Sequence, residues 1–243
     1  MRHVKIARYS YQGAIAFGIV DDDELVVLSS DPMFAGFDTT GDRIALADVK
    51  LLAPVIPRSK IVAMVSDEVF VLRPNTAVVG PGDAIVLPTA SKRVAVDGQL
   101  AIIIGKIAKN VSPADAAGRV FGYTVATVVT AADLGSATHA GAFDTFLPLG
   151  PIIETEFDEA ATPLLGLING EEFQSLDLGD DDRTTEDDVA ALVAFASSVF
   201  TLLPGDVILA GLLDTPAAIV DGDSVTMSIA GIGTLVNPVV RLA

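Results

Sequence analysis

Apolar residues in this chain recur in short runs broken by Gly, Pro, Asp and Asn, a pattern that favours strands over helices. Residues 14–20 and 24–28 read as short strands joined by an Asp21-Asp-Asp23 turn. Residues 61–64 read as a strand, and the runs at 84–87 and 100–104 as strands of the buried type. Ser112-Pro113 has the form of an N-cap followed by proline at the first helical position, and predicts a short helix through Ala117. The clearest helix is expected from 189 to 200. Val189, Leu192, Val193, Phe195, Ala196, Val199 and Phe200 would form its buried stripe, and Thr184-Thr-Glu-Asp-Asp188 supplies acids to its first turn. Leu203-Pro-Gly-Asp206 ends that helix, residues 207–209 return to strand, and Val220-Asp-Gly-Asp-Ser-Val225 reads as a hairpin turn with a strand on each side. Pro54 and Pro57 mark the passage from a small β-rich unit, residues 1–50, into a main domain, residues 51–243. The expected class is a mixed, β-rich α+β protein with few short helices.

Composition narrows what such a chain can do. Of its 243 residues, 51% are hydrophobic but only 6% aromatic, so the core should be built from Val, Ile, Leu and Ala. There is no cysteine, which removes disulfides, thiolate zinc sites and cysteine nucleophiles. The formal net charge of −17 opposes binding to nucleic-acid backbones and to anionic membranes. No uninterrupted apolar run is long enough for a membrane span, and the first residues lack the apolar centre of a signal peptide. A cytoplasmic location is therefore expected. The seven carboxylates between Asp177 and Asp188 read as a solvated loop leading into the helix, with metal binding as the alternative.

Eight blocks run in order from Leu51 to Asn237-Pro238. They begin with Leu51-Leu-Ala-Pro-Val-Ile-Pro-Arg-Ser-Lys60, Leu72-Arg-Pro-Asn-Thr76, Val79-Gly-Pro-Gly-Asp83 and Ser91-Lys-Arg93. Phe121-Gly-Tyr-Thr124, Phe143-Asp-Thr-Phe-Leu-Pro-Leu-Gly-Pro151, Thr201-Leu-Leu-Pro-Gly-Asp-Val-Ile-Leu209 and Gly231-Ile-Gly-Thr-Leu235 with Asn237-Pro238 follow. Together they resemble the fumarylacetoacetate hydrolase family. The resemblance implies a rolled β-sandwich, a homodimer, and a divalent cation held by three carboxylates. Where relatives place those carboxylates this chain has Asp97, Gln99 and Val128. Where they place a catalytic Lys it has Gly141, and a lid with a His-Glu pair after residues 61–64 is shortened to Val65-Ser-Asp-Glu68. A late substrate loop reads Ala210-Gly-Leu-Leu213. Hard cations want anionic oxygens, so no bound metal and no other cofactor is expected.

Asp97 and Gln99 alternate with Val96, Gly98 and Leu100, so in a strand they share one face. They are the candidate catalytic pair, Asp97 as a general base, with His139 as a third member. Val96, Thr127, Val128, Leu212, Leu213 and Asp214 are the candidate substrate contacts. The plain alternatives are polar remnants of an unused cleft for the first two and an exposed loop residue for His139. Arg73 and Tyr123 lie in scaffold blocks and are expected to be structural. The exchanges at Ala95, Val96, Val128, Gly141, Ala142, Leu212 and Leu213 all run toward small or apolar groups. They favour a metal-independent cyclase or isomerase, pericyclic chemistry included, acting on a hydrophobic, polyketide-like small molecule. The alternatives are a non-catalytic binding or partner subunit, and a weak metal-dependent hydrolase or decarboxylase that recruits Glu68 or Asp214.

Overall fold

Two β-sheets carry the fold in this computed structural model, which describes residues 3–66, 69–156, 163–179, 186–211 and 216–242. The chain opens with β1 (Lys5–Tyr11), β2 (Ala14–Asp21), β3 (Glu24–Leu28), the single-turn helix α1 (Pro32–Ala35), β4 (Thr39–Ala45) and β5 (Lys50–Leu51). Next come β6 (Ile61–Ser66), β7 (Val69–Arg73), β8 (Val78–Val79), β9 (Ile85–Val86) and the long β10 (Val94–Ile104). After α2 (Pro113–Ala116) come β11 (Val120–Ala131), α3 (Ala137–Ala140), β12 (Leu147–Glu154), β13 (Pro163–Ile168) and β14 (Glu171–Asp177). The end of the chain holds α4 (Glu186–Val199), β15 (Val207–Ala210), β16 (Ala217–Ile219), β17 (Ser224–Ile229) and β18 (Gly233–Val240). The protein is thus β-rich with few short helices, as its patterning predicts.

The larger sheet has 13 strands in the order β4-β3-β2-β1-β12-β11-β10-β15-β6-β7, with β16 beside β10, β5 beside β1 and β8 beside β12. The smaller has five, ordered β14-β13-β17-β18-β9. Strand β1 pairs with β12, so the first four strands continue the larger sheet. One face of β10 and β11 meets the smaller sheet. Val96, Leu100, Val125 and Val129 pack there against Leu164, Val225, Met227 and Leu235. Gly98 makes this contact possible, because a Cβ at that point would lie 2.8 Å from Leu164 Cδ2 and 2.9 Å from Met227 Sδ. The opposite face bears Ala101, Ile103, Ala126 and Val128, clustered with Ile61, Ala63, Leu147 and Leu149. Further along, α4 lays Val189, Leu192, Val193 and Ala196 on Ile102, Ile104 and Ile208.

Several local expectations need correction. Ser112 is the N-cap of α2 and Pro113 opens it, as expected, but the Ser112 hydroxyl donates to Asp115 rather than capping, and beyond Ala116 the helix tightens into a 3-10 turn over Ala117–Arg119. Val199 is 49% exposed and so leaves the expected stripe of α4, whereas Phe195 and Phe200 are half-buried against it. The apolar run at 84–87 gives only the two-residue β9. The run at 100–104 is the end of a strand that starts at Val94. The turn at 220–225 joins strands of different sheets: β16 pairs with β10, whereas β17 pairs with β13 and β18. Asp223 accepts from the Val220 amide and from Asn169 Nδ2, which pins the turn between the sheets.

Candidate active site

Residues 97–99 occupy a gap in the pairing of β10. On one side β11 runs its whole length, with Asp97 opposite Val128 and Gln99 opposite Ala126. On the other side β16 pairs with Val94–Val96 and β15 with Leu100–Ile103, which leaves Asp97, Gly98 and Gln99 without a strand neighbour there among the described residues. Gln174 of β14 closes the gap. Its Oε1 accepts from the Gly98 amide at 2.7 Å, and its Nε2 donates to the Gly98 carbonyl at 3.1 Å. One primary amide thus supplies Gly98 with the donor and acceptor that strand pairing usually supplies.

Asp97 and Gln99 are 4% and 3% exposed and share a face, as alternation requires. Gln99 Nε2 donates to Asp97 Oδ2 at 2.8 Å, and Gln174 Nε2 reaches Asp97 Oδ1 at 3.2 Å. Gln99 Oε1 is buried without a hydrogen-bond partner among the described residues. Gly211 stands over this side chain: its Cβ position lies 3.3 Å from Gln99 Cγ, and its φ of +131° suits glycine. Val128 is buried opposite Asp97 and offers only methyl groups.

Arg73 is the cation of this group. It closes β7, is 7% exposed, and Nη1 donates to the carbonyls of Val129 (2.9 Å), Gly141 (3.2 Å) and Phe146 (3.3 Å). Nη2 donates to Thr130 Oγ1 at 3.4 Å, while Nε has no partner among the described residues. Burial pushes its pKa down to about 10, and the Asp97 charge works the other way. The guanidinium occupies the space in front of Gly141. A Cβ there would lie 2.7 Å from Arg73 Cζ. The position at which the family resemblance places a lysine is thus empty of side chain, and an arginine from another strand fills the volume.

The structure brings together only part of the expected set. Asp97, Gln99 and Val128 share one face. Val96 and Thr127 lie on the other, toward the smaller sheet, because Val96 alternates with Asp97 and Thr127 pairs with Gly98. His139 is exposed on α3, its ring stacked on Phe143 at 5.6 Å, outside the buried polar group. Leu212, Leu213 and Asp214 lie outside the described residues, as do Thr215, Asp67 and Glu68. Arg73 and Gln174 join the site without having been picked out for it. Arg73 carries a readable signal, a lone charge closing the apolar run of β7 just before Pro74. Gln174 sits in the polar, alternating β14 and has none.

The donor set can be weighed against the divalent cation that the resemblance implies. Asp97 supplies the one carboxylate of the group, and both of its oxygens accept amide N–H groups. A hard cation wants several anionic oxygens. Among the described residues, no group of three or more His, Asp or Glu side chains could hold a metal ion. These residues do not fit that ion.

Known proteins place the chain. Residues 49–240 match the family described as fumarylacetoacetate (FAA) hydrolase C-terminal, and residues 4–54 match the one described as Rv2993c-like, N-terminal. The chain is 37% identical over 268 residues to protein Rv2993c of Mycobacterium tuberculosis, covering 98% of each. It is also 37% identical over 182 residues to the mitochondrial oxaloacetate tautomerase FAHD2B of Homo sapiens, covering 68% of this chain and 56% of that one. The solved structure of 5-carboxymethyl-2-hydroxymuconate delta-isomerase from Mycobacterium smegmatis superposes with a TM-score of 0.90 at 37% identity, over 98% of this chain and all of that one. The chain belongs to the fumarylacetoacetate hydrolase family, whose members similar to it include isomerases and a tautomerase.

Proposed function

We propose that this protein is a metal-independent isomerase that shifts a proton within a carbonyl-containing, largely apolar small molecule. Ring closure of the same kind of substrate is the companion reaction. The observation that carries this reading is the buried Asp97–Arg73 group. It holds one carboxylate steadied by two amides and one guanidinium with a spare Nε donor, against the apolar wall of Val128. In the proposed step Asp97 takes a proton from the carbon beside the carbonyl. The C–H electron pair forms the new C=C bond, the carbonyl π pair moves to oxygen, and Arg73 stabilises that oxygen until Asp97 returns the proton elsewhere. The relatives named as isomerase and tautomerase support this choice of reaction class.

The test is deuterium exchange at the carbon beside the carbonyl of an apolar ketone such as 2-octanone, followed by proton NMR in D2O with excess EDTA. Turnover should persist in EDTA and fall about 10²-fold or more in Asp97→Asn, the usual worth of a positioned acid–base group. Turnover that needs added Mn²⁺ would instead support a hydrolase-type metal site drawing on residues beyond this group.

A second reading rests on the burial itself. Asp97 and Gln99 are nearly inaccessible and Arg73 fills the volume beside Gly141, as a subunit that supports an active relative would allow. No turnover in either medium, with wild-type and Asp97→Asn equally stable, would select it.

A further inference from the structure

A cavity of about 310 Å³ lies away from the Asp97 group. Strands β6 and β15 run parallel, and the two sites sit at their opposite ends. Ala210 leads to Gly211 and Gln99, whereas Pro204 and Gly205, just before β15, line the cavity. Phe121, also in its wall, is seven residues along β11 from Val128, roughly 20 Å at strand spacing. The volume falls in the range of small-molecule sites, about 300–1,000 Å³.

The floor is apolar and the mouth is not. Ile6, Val55 and Ile153 form the floor, with Phe17 and Phe121 packed beside them. Arg8 lies on the same face of β1 as Ile6, opposite Phe17 of β2. Of its donors, Nη1 is committed to the Ala53 carbonyl at 3.2 Å. Arg58 stands at the rim over the Phe34 ring, 4.6 Å from its centroid. Neither arginine has an ion-pair partner within 4 Å among the described residues, in a chain where 32 acids face 15 Lys and Arg. Asp31 is the acid in the lining, and one of its oxygens is taken by the Met33 amide. Burial lowers the Arg8 pKa, with Asp31 opposing, so the cation is short of counter-charge. A molecule of net charge −17 repels anions nearly everywhere. Two unpaired arginines over an apolar floor mark a place where it does not.

We infer that this cavity binds a small amphipathic carboxylate, its acid group between Arg8 and Arg58 and its apolar body on Ile6, Phe17, Val55 and Ile153. Nothing in the proton-shift chemistry at Asp97 requires this site, so the two readings stand or fall separately.

Calorimetric titration of the full chain with octanoate, and with 1-octanol as the uncharged control, tests the inference at low ionic strength. Octanoate should bind at least tenfold more tightly than the alcohol. Arg58→Met, at an exposed position, should cut that preference severalfold with the melting temperature unchanged. Arg8→Met with Arg58→Met should abolish it. Equal binding of acid and alcohol, or a preference that survives both substitutions, would overturn the inference. So would absence of binding in a particle that sedimentation shows to be a dimer, since a second copy would then be the occupant.

Discussion

Gly141 and Arg73 act as one unit at the scale of single residues. The φ of Gly141 is −105°, open to any residue, so the demand for glycine there is purely steric. In Gly141→Ala the new methyl must displace the guanidinium, because its place is 2.7 Å from Arg73 Cζ. The expected cost is about 1–3 kcal/mol of stability, as for overpacking elsewhere, measurable by urea denaturation. Activity should fall with it, since the cation leaves its place beside Asp97. The pH dependence of activity has a definite sign. With its pKa pushed down to about 10, Arg73 is charged at neutral pH and discharges as pH rises through that value. A rate that needs the cation should hold level to about pH 9 and decline above pH 10. A rate unchanged at pH 11, in protein shown by circular dichroism to be folded, would remove Arg73 from the chemistry. In Arg73→Lys the decline should move to lower pH, because a buried ammonium loses its proton more readily than a guanidinium.

At the scale of elements, the link between the sheets at Gly98 is the most specific feature. Removing Gln174 leaves a backbone N–H and C=O on β10 short of partners, a cost of about 1–3 kcal/mol for a buried unsatisfied group. Gln174→Leu should therefore destabilise by that amount, and hydrogen exchange at the Gly98 amide should speed up while exchange in α4 does not. The strands themselves were partly legible, because apolar runs and turn residues mark β2 and β3 directly and the run at 100–104 marks the end of β10. Their partners were not. Ile219 and Val225 flank a turn that looks like a hairpin, and only tertiary pairing sends β16 and β17 to different sheets. The site divides in the same way. Period two placed Asp97 and Gln99 on one face, and the same period, carried through the register of β11, would have turned Thr127 away from them. Contacts such as Gln174 to Gly98 span 76 residues and leave no local trace.

At the scale of the molecule, electrostatics should set the stability. With 32 acids against 15 Lys and Arg, acid–acid repulsion opposes compaction. Some of the basic residues are already committed. Arg43 bridges Asp21 and Glu24, Lys50 meets Asp83, and Lys60 is held by Asp206. The exposed pairs, those of Arg43 and Lys50, contribute little, about 0–1 kcal/mol each, so they do not cancel a net charge of −17. Added salt can screen the repulsion, since the Debye length falls from about 10 Å at 0.1 M to about 3 Å at 1 M. Repulsion between exposed acids should fade with it, while the buried Asp206, 1% exposed and bonded to two backbone amides, keeps its partners. The melting temperature should therefore rise by several degrees between 0.05 and 1 M KCl, with most of the rise at the low end where the Debye length changes fastest. Potassium chloride is the right probe, because sulfate would add exclusion from the surface to the screening. A melting temperature that does not move, or that climbs evenly to the highest salt, would mean that the acids are already neutralised within the fold and that the apolar core alone sets stability.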